Sequence, residues 1–261
     1  MNQQILHLPV SGLEVCLRSL EGAEDLLLSE AAFLDTSLAI ELLTKITRDR
    51  DGLAIDPGTL SIADLDTLLL LTRQRLFGDR IRADAICPAD DCGAKIEVSF
   101  QIEAYLDHYR PRKARGVELT DEIGWFRFQN VPVSFRLPTG ADLVAIARHP
   151  HPEHSLSQRC IRPSNLPAKQ RRRVEKAMET MAPSLAQLLQ GQCTECSAIV
   201  EILFDPQQFV LKELRHQALF IYEEIHLLAM YYKWSEVEIL SLPRSRRRYY
   251  ADMIRQLQKY A

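Results

Sequence analysis

The sequence predicts an α+β chain, with mostly helical N- and C-terminal parts around a β core that an insertion of hairpin and helices splits in two. Three observations lead there. Two cysteine pairs, Cys87 with Cys92 and Cys193 with Cys196, lie about a hundred residues apart. Each is followed by a small residue, an alanine and a β-prone run ending in phenylalanine: Gly93-Ala94-Lys95-Ile96-Glu97-Val98-Ser99-Phe100 and Ser197-Ala198-Ile199-Val200-Glu201-Ile202-Leu203-Phe204. Outside this repeat, apolar residues recur at three- and four-residue spacing, the period of an amphipathic helix. The organisation that follows is an N-terminal α/β region over 1–86, two core halves at 87–100 and 193–204, an insertion over 101–192, and a C-terminal helical region over 205–261.

In order, Leu13, Val15 and Leu17 alternate after Ile5 to Val10, which predicts a first strand or hairpin turning at Ser11-Gly12. Glu21 to Asp25 opens a helical region. Leu38, Leu42, Leu43 and Ile46 then mark an amphipathic helix, closed by the polar run 48–52. Ser61 is an N-cap for a helix carrying Leu65, Leu68, Leu69 and Leu76, with Gly78 at its end. Asp64, Asp66, Arg73 and Arg75 read as its exposed face, acids first and bases last, as the helix dipole prefers. Arg80 to Ile86 runs as a strand into the first cysteine pair.

Tyr105 to Arg115 is basic with two tyrosines and reads as a solvated linker, with contact to an acidic partner as the other reading. Gly116 to Leu137 is a hairpin or small meander with a turn near Asn130, and Thr139 to Asp142 is a helix start. His149-Pro150-His151-Pro152-Glu153-His154 brings three imidazoles close in sequence, but the prolines hold the chain extended and spread the rings, so it reads as a surface loop. Leu156 to Ile161 is a short helix. Pro167 starts the next one, with Val174, Ala177, Met178 and Met181 on its apolar face and Arg171, Arg172 and Arg173 on a solvated one.

After the break at Asp205-Pro206, Leu214, Ala218, Ile221, Ile225, Leu228 and Tyr232 predict one long helix. Ser235 with Glu238 is a capping box. Ser245 opens the last helix, with Tyr249, Met253 and Leu257 on one face. Arg246, Arg247 and Arg248 stand in its first turn, where the dipole disfavours cations by about 0.3–1 kcal/mol each. They call for acidic partners, either Glu236 and Glu238 of the same chain or another protein.

The paired cysteines carry the clearest chemistry. Two knuckles, spaced by four residues and by two, can place Cys87, Cys92, Cys193 and Cys196 around one tetrahedral Zn²⁺, as in a zinc ribbon. Four thiolates close the coordination sphere and leave no position for water, so the reading is a structural cofactor and not a catalytic one. Cys16 and Cys160 each stand alone in apolar surroundings and read as buried free thiols. The 261 residues are 46% hydrophobic and 26% charged, as expected of a globular protein. A net charge of -3 offers no global field for nucleic acid or anionic membrane. No apolar run reaches the ~20 residues of a membrane span, and Met1-Asn2-Gln3-Gln4 opens no signal peptide, so the expected location is cytoplasmic.

Several runs, taken together in order, resemble one family. They are Ser61 to Leu70, Phe77-Gly78-Asp79, the Cys-Pro…Cys-Gly knuckle, Phe135-Arg136-Leu137-Pro138-Thr139 with Asp142, Arg159-Cys160-Ile161, and above all the run from Glu224 through Trp234, Ser235, Leu242-Pro243 and Arg246-Arg247 to Tyr250. This resembles the phage baseplate proteins related to the T-even-phage baseplate hub assembly chaperone, found in contractile tails and related injection systems. The first knuckle departs from the pattern by two extra residues, the second by lacking the usual Pro and Gly. The resemblance implies a non-enzymatic role in building or forming the baseplate hub, with hub, spike or tail-tube proteins as partners and possible incorporation in the tail particle. Arg246, Arg247, Arg248, Trp234 and Tyr250 are the residues expected to dock a partner. The alternative is a zinc-ribbon nucleic-acid-binding protein, supported by the basic runs 110–115 and 171–173 and opposed by the net charge. For an enzyme the sequence offers no Ser/His/Asp constellation, glycine-rich phosphate loop or open metal site.

Overall fold

A computed structural model describes residues 5–129 and 131–259. Asn130, where the sequence places a turn, lies outside the described residues. In chain order the elements are β1 (Ile5–His7), β2 (Glu14–Leu17), α1 (Gly22–Glu30), α2 (Thr36–Ile46), β3 (Thr47–Asp49), a 3-10 turn (Pro57–Thr59), α3 (Ile62–Phe77), β4 (Arg80–Ile86) and β5 (Lys95–Gln101). There follow α4 (Ile102–His108), β6 (Val117–Leu119), β7 (Trp125–Phe128), β8 (Ser134–Arg136), α5 (Gly140–Ile146), α6 (Pro152–Cys160), β9 (Ile161–Arg162), α7 (Ala168–Met181), β10 (Gln187–Gln192) and β11 (Ile199–Phe204). The last four are α8 (Pro206–Ala218), α9 (Ile221–Tyr232), α10 (Glu236–Leu240) and α11 (Arg244–Lys259). Helices and several small sheets coexist, so the α+β class holds.

Chain contacts divide these elements into two units. Of the described residues the first takes 5–6, 14–55 and 207–259, so N-terminal and C-terminal segments build it together. Its strands β2 and β3 pair antiparallel, Cys16 opposite Arg48, in a three-stranded sheet of order β1-β2-β3. Strand β3 forms where the sequence reading placed only the polar close of a helix. The helices of this unit bury their apolar stripes fully, with Leu42, Leu43 and Ile46 of α2 and Leu211 and Leu214 of α8 all at 0% exposure. Asp35 caps α2 by accepting from the Leu38 N–H at 3.0 Å. Ser235 and Glu238 form the expected capping box at α10.

Two elements of this unit correct the sequence reading. The single long helix is two, α8 and α9, interrupted at Leu219 and Phe220. The apolar face stays in phase across the break, with Ala218 and Ile221 both 1% exposed, and no Gly or Pro marks the interruption, so periodicity alone runs straight through it. In α11 the buried side is Arg244, Arg247, Ala251 and Ile254, whereas Tyr249, Met253 and Leu257 face outward at 66%, 42% and 66% exposure. The burial of two arginines turns the helix relative to its most hydrophobic stripe.

The second unit comprises residues 7–13 and 56–206. Here α3 is capped as expected, Ser61 Oγ accepting from the Asp64 N–H at 3.1 Å. Its supposed exposed face is inside, however: Asp64, Asp66 and Arg73 are at most 5% exposed, and only Arg75 reaches solvent. Asp64 is buried because it accepts from the N–H groups of Val10 and Ser11, both at 2.8 Å, which ties down the turn before β2. Arg73 donates to the Gly78 carbonyl at 2.6 Å and so closes the helix C-terminus.

The insertion carries a four-stranded antiparallel sheet of order β6-β7-β8-β9. Helix α7 covers it, with Val174 and Ala177 packed on Phe128, Val133 and Phe135. Ile161, read as the end of a short helix, starts β9 and pairs with Phe135. Asp142 holds the middle of the insertion together. It accepts from both Arg136 Nη atoms, from Arg159 Nε at 2.8 Å and, in a capping box, from the Thr139 N–H at 3.0 Å. The segment after β5 is not a linker at its start: Tyr105 lies on α4, is 7% exposed and donates to the Leu185 carbonyl at 2.8 Å.

Candidate metal centre

Both cysteine pairs sit at the tips of antiparallel hairpins. In the first, β4 pairs with β5 from Arg80 opposite Gln101 to Ile86 opposite Lys95. In the second, β10 pairs with β11 from Gln187 opposite Phe204 to Gln192 opposite Ile199. The sequence repeat anticipates a knuckle plus one following strand in each half. The preceding strand of the second half, β10, was not expected, because its run Gln187-Leu188-Leu189-Gln190-Gly191-Gln192 carries no β-branched residue and includes a glycine.

The two tips are built alike. The Cys87 N–H donates to the Ala94 carbonyl and the Cys193 N–H to the Ala198 carbonyl, each at 2.9 Å. The residue after the second cysteine takes the left-handed conformation in both, Gly93 at φ 57° and Ser197 at φ 61°. The first knuckle therefore absorbs its two extra residues without changing the closing hydrogen bond. The second accepts a strained serine where glycine is the easier residue.

The four sulfurs converge. Their Sγ atoms all lie within 4.8 Å of one another, Cys87 to Cys196 at 3.6 Å and Cys92 to Cys193 at 3.8 Å. A tetrahedral ion with four Zn–S arms of ~2.3 Å has sulfur–sulfur edges of ~3.8 Å. None of the six cysteines is in a disulfide. Cys87 and Cys193 are buried with Val200, Cys92 is half-buried and Cys196 exposed. Among the described residues these four form the one cluster of His, Cys, Asp or Glu side chains arranged to hold a metal ion.

Backbone amides aim at the sulfurs, which favours the thiolate form. The N–H groups of Cys196 and Glu195 draw the Cys193 thiol down to about 7. The Ala89 N–H acts the same way on Cys87, but burial and the crowding of the other thiols win and push it up to about 12. Cys92 is also raised: the Ala94 N–H lowers it, while Cys196 and burial raise it further. Four thiols held this close without a cation resist losing their protons together, and a divalent cation removes that conflict.

The histidine loop does not form a second centre. Pro152 is the first residue of α6, so His154 lies on a helix while His149 and His151 precede it, and all three are exposed. Cys16 and Cys160 are buried free thiols, as expected, and Cys160 lies 3.8 Å from Asp142.

The residues expected to dock a partner divide. Arg247 is 1% exposed and pairs with Glu224 at 2.6 Å and with Asp25. Arg244, which the sequence reading did not single out, also pairs with Asp25. Arg248 is half-buried, 2.9 Å from Gln217 Oε1 and 3.6 Å from Glu224. The internal acids are thus Asp25 and Glu224, and not Glu236 and Glu238, whose side chains are exposed. Asp25 and Glu224 stand in the first turns of α1 and α9, so no local pattern near α11 points to them. Arg246 alone of the three is exposed, 5.8 Å above the Tyr250 ring. Trp234 stacks on Tyr232 at 5.0 Å and meets Tyr250 edge-on at 5.3 Å, and Trp234 and Tyr250 are both half-buried.

No helix among the described residues is long and apolar enough to cross a membrane. No protein-family model, curated protein or solved structure matches the chain.

Proposed function

We propose that this chain is a non-enzymatic assembly factor or structural component of the baseplate hub of a contractile phage tail or a related injection system, and that Cys87, Cys92, Cys193 and Cys196 hold one structural Zn²⁺. The observation that carries the metal reading is the mutual closure of the four sulfurs, with separations that suit a tetrahedral ion of this size. All four positions are filled by the protein's own donors, so the ion's part is to fasten two hairpin tips that the chain separates by about a hundred residues. A structural zinc contributes on the order of 10 kcal/mol to folding.

The hub reading rests on the sequence resemblance, whose most specific run spans Glu224 to Tyr250. Glu224, Arg247, Trp234 and Tyr250 of that run interlock within one unit. The run is therefore a signature of how this unit folds, and Lys233 and Arg246 are its solvent-facing cations. The nucleic-acid reading has less to stand on. The two hairpins and their tips, residues 80–101 and 187–204, carry Asp84, Asp90, Asp91, Glu97, Glu195 and Glu201 against Arg80, Arg82 and Lys95. Four thiolates around one dication add further negative charge.

Affinity purification of the tagged full chain from cells expressing its own tail gene cluster, followed by mass spectrometry, tests the reading. Recovery of hub, spike or tail-tube proteins is expected. Recovery of nucleic acid, or of no tail protein, would overturn it.

A further inference from the structure

Between the two hairpins runs a groove of ≈ 190 Å³, walled by Ile96 and Val98 on one side and by Leu189, Val200 and Ile202 on the other, with Gly191 opening onto it. Small-molecule pockets run to ~300–1,000 Å³, so this one suits a single side chain better than a cofactor. We propose that the groove takes an extended segment of a partner protein, one that brings a large apolar side chain next to a lysine or arginine. The inference stands on the hairpins alone and holds whether or not the partner belongs to a tail.

Backbone placement comes first. β4 and β5 pair only with each other, as do β10 and β11, so among the described residues each hairpin has unpaired strand edges. β5 lines the groove with three consecutive residues, 96–98, and β10 with four, 189–192. Successive residues of a strand point to opposite faces, so consecutive lining means that these strands present their edges to the groove. An unpaired edge is a template for one more strand.

Gly191 is the second observation. It stands inside β10 opposite Val200, its φ is not in the left-handed region, and a Cβ built on it meets nothing within 4 Å. Neither a turn nor close packing within the chain requires glycine there. A glycine inside a strand weakens it, and such residues often mark the approach of another backbone.

Charge supplies the third. Asp84 and Glu97 lie directly opposite each other on β4 and β5, a like-charge pair whose nearest cations, Arg82 and Lys95, stand two residues away on the same exposed face and form no ion pair with either. Neither carboxylate has a hydrogen bond or ion pair among the described residues. Glu97 lines the groove. A cation beside the apolar residue of an incoming strand would relieve this repulsion.

The test selects binders from a yeast-displayed library of random nine-residue linear peptides against the zinc-loaded full chain. Enriched peptides are expected to carry Leu, Ile, Phe or Met adjacent to Lys or Arg. Gly191→Val, which fills the groove, is expected to weaken their binding at least tenfold while the melting temperature holds or rises. Glu97→Lys, on an exposed side chain, is expected to weaken it comparably and guards against a folding artefact. Three results would overturn the proposal. One is the absence of any enriched sequence pattern. Another is binding by both variants that equals that of the unsubstituted chain. The third is a concentration-dependent dimer that Gly191→Val dissociates, which would make a second copy of the chain the occupant.

Discussion

Arg247 Nε donates to Glu224 Oε2 at 2.6 Å, and the two side chains are 1% and 2% exposed. The same guanidinium also reaches Asp25, which Arg244 shares. A cation at the start of α11 is unfavourable to the helix by itself, and the two carboxylates from α1 and α9 offset that and pin three helices together. Removing one member leaves a buried charge uncompensated. Arg247→Ala is therefore expected to cost about 3–5 kcal/mol in urea unfolding, whereas Arg246→Ala, on the exposed neighbour, should stay within about 0.5 kcal/mol. Equal effects of the two substitutions would count against this arrangement.

Asp142 sets an acid limit on the second unit. Burial alone would raise its pKa, but hydrogen bonds from Arg136 and Arg159 and from the Thr139 N–H hold it well below the usual carboxylate range. Its contribution to stability is complete above the unfolded value of about 3.9 and fades as pH falls through the folded value. Stability followed by denaturant titration between pH 5 and pH 2 should therefore fall less steeply in Asp142→Asn, from a lower plateau at neutral pH. Parallel curves would show that the carboxylate is not coupled to folding.

Ser197 occupies at φ 61° the place that Gly93 fills in the first knuckle at φ 57°. A left-handed conformation costs a residue with a side chain roughly 1–2 kcal/mol. Ser197→Gly is expected to raise the thermal midpoint of the metal-loaded protein, and the reciprocal Gly93→Ser to lower it. Calorimetry on both variants checks the pair.

Metal uptake should be linked to protons. With Cys87 pushed up to about 12 and Cys92 raised as well, these two thiols must give up their protons to bind a metal near neutral pH. Affinity is expected to rise from pH 6 to pH 8, with net proton release measured by titration calorimetry in buffers of different ionisation enthalpy. A pH-independent affinity would mean that the thiols are not the ligands.

Local patterns made much of this legible. Ser61, Thr139 and Ser235 each start a helix where the sequence places one, because capping depends on residues within one turn. The convergence of four thiols across about a hundred residues was legible as well, since the repeat of cysteine pair, small residue and Ala marks two equivalent hairpin tips. What stayed hidden depends on partners distant in sequence. Nothing near Asp64 announces that Val10 and Ser11 bury it. Nothing near Arg247 announces Asp25, 222 residues away. Once those arginines turn inward, Tyr249, Met253 and Leu257 must face outward, against their hydrophobicity. β10 and β3 form through pairing alone, each on a run without strong β preference of its own.

The most direct test of the proposed zinc clamp is zinc K-edge X-ray absorption, with metal quantification, on the purified full chain and on Cys193→Ser. The expected result is one zinc per chain with four sulfur neighbours at ~2.3 Å, lost or rearranged in the variant. A chain that binds no zinc, or a zinc whose shell contains oxygen or nitrogen in place of one of the four sulfurs, would contradict it.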